Sequence, residues 1–202
     1  MSINTIVFDL GGVLIDWNPD YLYTKLFSDP VEMKWFYSNV CTPDWNEEQD
    51  AGRPLSEATE LLVSQYPAYE MHIRSFYGRW LEMVKGPIEG TVEVFKELKA
   101  SGRYKIYALT NWSQETFPVA LERFEFLHWF DGRLVSGEEG TRKPFPDIYE
   151  KLFERFSIDP TKALFTDDNQ RNLHPAASFG MKTIHFVDPD QFRYELVQLG
   201  LL

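Results

Sequence analysis

Three carboxylates, a lysine and a hydroxyl in this chain each follow a short apolar run, and that placement suggests chemistry. In FDLGGVLID the run Ile6-Val7-Phe8 ends on Asp9, and Gly11 and Gly12 come next. ALTNW sets Thr110 and Asn111 after a second run, RKP brings Lys143 after a third, and FTDDNQRN ends a fourth on Asp167 and Asp168. Clustered carboxylates repel one another unless a cation sits among them. Hard oxygen ligands with room for water suit Mg²⁺. A carboxylate beside that ion can attack a phosphoryl group, because the metal cancels the repulsion between the two anions. Lys143 would neutralise the phosphate and hold the nucleophile in place. Thr110 and nearby backbone N–H groups would donate to the phosphoryl oxygens. Gly11 and Gly12 permit the tight turn and close backbone approach that such a cradle needs.

For these residues to meet, the runs that carry them must be strands of one sheet. Residues 5–8, 105–109, 133–135, 163–166 and 182–187 are β-rich and apolar on both faces, as buried parallel strands are. Helical patterns over 91–100, 114–124, 147–156 and 172–179 lie between the later ones. Strand alternating with helix predicts a doubly wound α/β core of five parallel strands. Ligands bind beyond the carboxyl ends of such strands, so all four sets of polar residues converge on one edge.

The stretch between the first two strands differs. Residues 17–86, roughly seventy, carry no strand signal and far exceed an ordinary connection. They predict an all-helical insertion, with the core formed by 1–16 and 87–202. Asn18-Pro19, Asp29-Pro30 and Thr42-Pro43 each put a capping side chain before a proline suited to the first helical turn. Ser56 is a further candidate cap. Ile73, Phe76, Tyr77, Trp80, Leu81 and Val84 form a 3.6-residue stripe predicting one long helix. Gly86-Pro87 marks the return to the core.

Composition narrows the function. The chain has 202 residues, is 44% hydrophobic and carries a formal charge of −11. It can bury a core, and its charge repels nucleic acid. Cys41 is the only cysteine, so an internal disulfide or multi-cysteine metal site is excluded. No signal peptide or membrane helix is expected. The expectation is a cytoplasmic protein acting on a small molecule, with no membrane or nucleic-acid partner and an oligomeric state the sequence does not indicate.

FDLGGVLID, ALTNW, RKP and FTDDNQRN, in that order and over the whole chain, resemble the motifs of the haloacid dehalogenase-like (HAD) hydrolase superfamily. The insertion sits where that superfamily places a helical cap. DWNEEQDAGRPLSEA resembles the cap of the subgroup containing sugar-phosphate phosphatases and epoxide hydrolase N-terminal domains. The resemblance implies a Rossmann-like core and an Mg²⁺-dependent phosphate-monoester hydrolase, with an aspartyl-phosphate on Asp9 that water then cleaves. Sugar phosphates are the substrate class it implies. It also implies metal ligation by Asp9, Asp168 and the Gly11 carbonyl. Asp167 remains open between metal ligand and helix cap. Asn172, four residues after Asp168, would orient a metal-bound water.

One position departs from that pattern. Two residues after the nucleophile, phosphatases of the superfamily usually carry a second Asp that acts as general acid and base. Here Gly11 stands there. Losing a positioned acid costs roughly 10²–10⁴-fold in rate. Asp16, Asp167 or a cap residue could substitute. Members of the sugar-phosphate subgroup share the Asp-Leu-Gly pattern, so glycine there does not imply a dead enzyme. Two alternatives follow: a metal-independent dehalogenase, and a non-catalytic binding protein. The Asp167-Asp168 pair argues against the first, and the intact remaining motifs against the second.

Asp9 or Asp167 could be helix caps, Thr110 or Ser113 could cap the following helix, and a lysine is usually solvated. Asn111 is less specific than Thr110. In the insertion Trp45, Asn46, Asp50 and Arg53 are pocket candidates, with Arg53 in the DAGRP turn as a substrate contact. Trp80 reads as packing, Cys41 as a small buried hydrophobe, and the four histidines as structural or surface residues.

Overall fold

A computed structural model describes residues 2–202. In chain order the strands are β1 (Thr5–Phe8), β2 (Ile15–Trp17), β3 (Val84–Pro87), β4 (Lys105–Thr110), β5 (Gly132–Val135), β6 (Ala163–Asp167) and β7 (Lys182–His185). Five form one parallel sheet in the order β5-β4-β1-β6-β7. All of β1 is buried, as its unbroken apolar run predicts.

Helices α1 (Asp20–Tyr23), α2 (Pro30–Asn39), α3 (Pro43–Asp50), α4 (Leu55–Gln65) and α5 (Glu70–Gly78) lie between β2 and β3. The rest of the chain adds α6 (Glu89–Ala100), α7 (Phe117–Arg123), α8 (Ser136–Glu139), α9 (Pro146–Phe156), α10 (Gln170–Ser178) and α11 (Pro189–Gln198). Alternate residues of β1 serve opposite faces of the sheet. Phe8 packs on Phe95 of α6 and Phe192 of α11, with ring centroids 5.5 and 5.6 Å away. Val7 belongs to the other layer, with Ile148, Tyr149 and Leu152 of α9 and Leu173 of α10. The core is therefore doubly wound. The chain passes from β1 to β4 on one side and later to β6 on the other. That reversal opens a crevice at the carboxyl end of β1.

The insertion has an aromatic centre of its own. Tyr23 lies 5.3 Å from Phe36, and Phe27 stacks on His72 at 4.2 Å between ring centroids. The starts of α2 and α3 follow the capping signals. Asp29 accepts from Val31 N at 2.9 Å, Thr42 from Trp45 N at 3.1 Å, and Asn18 from Asp20 N at 2.9 Å.

Four details differ from the sequence expectation. β2 and β3 pair antiparallel at the base of the insertion, where no strand was expected. The single long helix over 73–84 is broken. α5 ends at Gly78, Trp80–Met83 forms a 3-10 turn, and Val84 enters β3 opposite Trp17. Gly78 has the low helix propensity that favours such a stop, and Leu81 consequently faces solvent. Ser56 lies inside α4 rather than capping it. The first N–H of α4, on Leu55, instead donates to Glu115 of the core at 2.8 Å. α7 begins at Phe117, because Ser113 accepts from Glu115 N and holds residues 113–116 in a turn. Among the described residues no helix is long and apolar enough to cross a membrane.

Candidate active site

β1 stops because Asp9 makes the last ladder bond, Asp9 N to Thr166 O at 2.9 Å, and the chain then turns. Leu14 and Ile15 both donate back to Leu10 O, at 2.8 and 2.9 Å. Gly12 sits at φ 74°, and a Cβ there would lie 2.3 Å from Asp168 Oδ2. Glycine is required on both counts. A Cβ on Gly11 would meet nothing within 4 Å.

The expected residues converge at this turn. Lys143 is wholly buried. Its Nζ lies 2.8 Å from Asp9 Oδ1 and 2.6 Å from Asp167 Oδ2. Oxygens of Asp9, Asp167 and Asp168 fall within 4.8 Å of one another. Asp9 Oδ1 also accepts from Leu10 N at 2.7 Å, whereas Oδ2 has no protein partner among the described residues. Burial, then the charge of Asp167, push the Asp9 carboxyl well above its ordinary range despite Lys143. Burial alone would depress the lysine, but Asp167 and Asp9 hold it above its usual value. The lysine is therefore a fixed cation.

Asp167 has protein partners on both oxygens. Oδ1 accepts from Asn169 N at 2.8 Å, Oδ2 accepts from Lys143, and Asn172 Nδ2 lies 3.0 Å from each. Asn172 is fixed in turn where Tyr149 OH donates to its carbonyl at 2.6 Å. Asn111 uses its whole amide on Lys143, with Nδ2 donating to the Lys143 carbonyl at 2.9 Å and Oδ1 accepting from its N–H at 2.8 Å. The Lys143–Pro144 peptide is cis. Thr110 Oγ1 is buried without a partner.

Above the cluster lies a cavity of about 450 Å³ between core and insertion. Asp9, Lys143 and Asp168 lie on one side, with Trp17, Tyr37, Cys41 and Phe76 among its apolar walls. A second cavity of about 90 Å³ adjoins it, bounded by Gly11, Trp112 and Ser113 of the core. Trp17, Asn46, Asp50 and Asn111 line both. A larger groove of about 770 Å³, beside Arg103 and Lys182, lies at the other end of the strands and has no carboxylate in its lining.

Arg53 lines neither of the two cavities beside the carboxylates. Its Nε donates to Gln49 Oε1 at 2.8 Å, and Nη2 to the Trp45 carbonyl at 3.3 Å. Two residues that sequence reasoning did not single out lie in the cavity instead, Glu47 of α3 and Arg171 of α10. Glu47 pairs with Arg142 at 2.8 Å and with Arg171. Only the proximity of Arg142 to Lys143 and of Arg171 to Asp168 signals them in the sequence.

Known proteins are similar to this chain in sequence and in fold. The chain is 26% identical to a sesquiterpene phosphatase of Aspergillus oryzae over 198 residues, covering 98% of this chain and 97% of that one. It is 26% identical over 188 residues to a pyrophosphatase, PpaX, of Bacillus cereus, covering 91% and 82% of the two chains. Its fold matches a HAD family enzyme of Bacteroides thetaiotaomicron, solved as a magnesium complex, with a TM-score of 0.74, 20% identity and coverage of 97% and 99%. The model of one family matches residues 3–180, and the chain belongs to that family, the haloacid dehalogenase-like hydrolases.

Proposed function

We propose that this hydrolase cleaves small phosphate monoesters through a phosphorylated Asp9. The observation that carries the reading is Lys143 Nζ bridging Asp9 and Asp167. It pins one oxygen of Asp9, which lines the cavity, and leaves the other without a protein partner and available for attack. Attack by Oδ2 on phosphorus forms an aspartyl-phosphate and expels the alcohol. Water then attacks that phosphorus, releasing phosphate and restoring Asp9. The unpartnered hydroxyl of Thr110 supplies a donor for a phosphoryl oxygen. Gly11 and Gly12 keep the backbone close to the phosphate.

The donor set fits Mg²⁺. Three carboxylates face one lysine cation, and burial, then the charge of Asp167, hold Asp9 above its ordinary range. Asp9 and Asp168 would hold the ion together with the Gly11 carbonyl. The bound ion would screen the approach of two anions. Asp167, with both oxygens already hydrogen-bonded, is assigned to holding Lys143 and Asn172. Asn111 is assigned to fixing the lysine backbone rather than binding phosphate through its amide.

Residues 17–86 act as the cap, and the apolar wall of Trp17, Tyr37 and Phe76 receives the body of the ester. That wall puts prenyl and aryl esters ahead of sugar phosphates. The relative acting on a sesquiterpene supports the same order. The test is phosphate release from sugar, prenyl and aryl phosphates, with Mg²⁺ and with EDTA, by the native chain and Asp9→Asn. Release that needs both Mg²⁺ and Asp9 is expected. Full activity in EDTA or in the variant would overturn the reading.

A further inference from the structure

We propose that Asp50, at the end of α3, is the proton donor and acceptor for which Gly11 provides no side chain. This rests on the phosphomonoesterase reading above. The space in front of Gly11 is open, and Asp50 borders it. Asp50 also borders the larger cavity that holds Asp9, Lys143 and Asp168. Of the insertion's residues, only Trp17, Asn46 and Asp50 line both, and only Asp50 can carry a proton between oxygens there.

The carboxyl is held by a chain of hydrogen bonds within the insertion. Asn46 Nδ2 donates to Oδ2 at 3.2 Å. Asn46 Oδ1 accepts from Tyr77 OH at 2.9 Å, Tyr77 OH accepts from Gln49 Nε2 at 3.0 Å, and Gln49 Oε1 accepts from Arg53 Nε. Arg53 thereby acts through Gln49 as a positioning residue. The end of α3 is tied to the core where Ser136 Oγ donates to the Asp50 carbonyl. Gly52 fits against Gly137, with a Cβ at 52 coming 3.0 Å from the Gly137 carbonyl.

No cation lies within ion-pair distance of Asp50 among the described residues. Glu47 faces it from its own helix, Arg142 and Lys143 from the loop before α9, and the Ser113 N–H from the loop after β4. Burial and Glu47 outweigh the other three and push the carboxyl up to about 7. A group poised there can both give and take a proton near neutral pH.

The two steps balance. As Asp9 Oδ2 bonds to phosphorus and the ester P–O bond breaks, the Asp50 proton passes to the leaving oxygen. Asp50, now a carboxylate, takes a proton from the water that attacks the phospho-aspartate. Phosphate leaves, Asp9 is restored and Asp50 is again protonated.

The test uses 2,4-dinitrophenyl, 4-nitrophenyl and phenyl phosphate with Mg²⁺, reading kcat/KM, which reports the steps through phosphorylation of Asp9. Asp50→Asn should lose roughly 10²–10⁴-fold on phenyl phosphate and far less on the dinitrophenyl ester, which needs no acid. With that ester it should also show a burst of phenolate, because hydrolysis of the phosphoenzyme is slowed. A parallel loss across all three esters, or no loss, overturns the proposal. The native chain gives a second reading that needs no variant. Its alkaline limb near pH 7 should appear with phenyl phosphate and be absent with the dinitrophenyl ester, and the same profile for both overturns the proposal. If the native chain releases no phosphate from any of the three, the phosphatase reading falls and this proposal falls with it.

Discussion

The side chain of Asn111 grips the backbone of Lys143 at both ends, donating to its carbonyl at 2.9 Å and accepting from its N–H at 2.8 Å. A strand-end amide on β4 thus fixes the loop that delivers the buried lysine. Asn111→Ala should leave the Lys143 N–H unpaired, at about 1–3 kcal/mol, and leave its carbonyl only a long bond from Arg142 at 3.4 Å. It should also let Lys143 drift from Asp9. The expected outcome is a lower Tm and a kcat reduced roughly 100-fold, as small misplacements of reacting groups produce. A kcat equal to the native value would show that the lysine is positioned without it.

The two glycines after Asp9 make opposite predictions. Gly12→Ala places a methyl 2.3 Å from Asp168 Oδ2 in a left-handed backbone conformation. It should displace that carboxylate and weaken Mg²⁺ binding at least tenfold by titration calorimetry, an order-of-magnitude estimate for losing one well-placed ligand's geometry. Gly11→Ala has open space and should stay within about 1 kcal/mol of native stability. It should lose far less Mg²⁺ affinity than the Gly12 variant. Equal losses at both positions would contradict the placement of Asp168 over Gly12.

Glu47 joins the insertion to the core, pairing with Arg142 at 2.8 Å and with Arg171. Its side chain and that of Arg142 are mostly buried, so the pair is screened less than an exposed one. If closure of the cap gates the site, Glu47→Gln should raise KM several-fold and speed proteolysis within residues 17–86. Glu47 also raises Asp50, so the variant should move the alkaline limb for phenyl phosphate to lower pH. A limb that stays put would uncouple the two carboxylates.

The core and the convergence of polar residues at the carboxyl edge of its sheet were legible because buried parallel strands are written as continuous apolar runs, and whatever polar residue ends each run must meet the others. The reading was coarser in the insertion. A 3.6-residue stripe continued through Gly78 to Val84, but pairing of β3 with β2 took the last residue out of the helix. Ser56 carries a capping side chain, yet the helix starts one residue earlier, at Leu55, whose N–H donates to Glu115, sixty residues on. Roles set by distant partners stayed hidden for the same reason. Nothing near Asn111 or Asp167 in sequence shows that one clamps the Lys143 backbone and the other its ammonium. Asp50 and Arg53 stand in the same turn motif, and only the packing of α3 separates the one on the cavity from the one behind it.

The raised carboxyl of Asp50 has a consequence for stability with a definite sign. Its folded value, about 7, lies above the ordinary 3.8. Between those two values the native state binds more protons than the unfolded state, so stability falls as pH rises, by up to about 1.4 kcal/mol per pH unit. Asp9 and Asp168 are also raised and contribute in the same direction. The comparison of the native chain with Asp50→Asn isolates the one group. An asparagine keeps an acceptor for Asn46 and carries no charge. Denaturant unfolding in EDTA at fixed ionic strength should therefore find the variant more stable than the native chain at pH 8, with the gap closing as pH falls below that of the Asp50 carboxyl. A gap that is constant with pH, or one in favour of the native chain at pH 8, would show that Asp50 is charged at little cost, and its place as a proton donor at neutral pH would be lost.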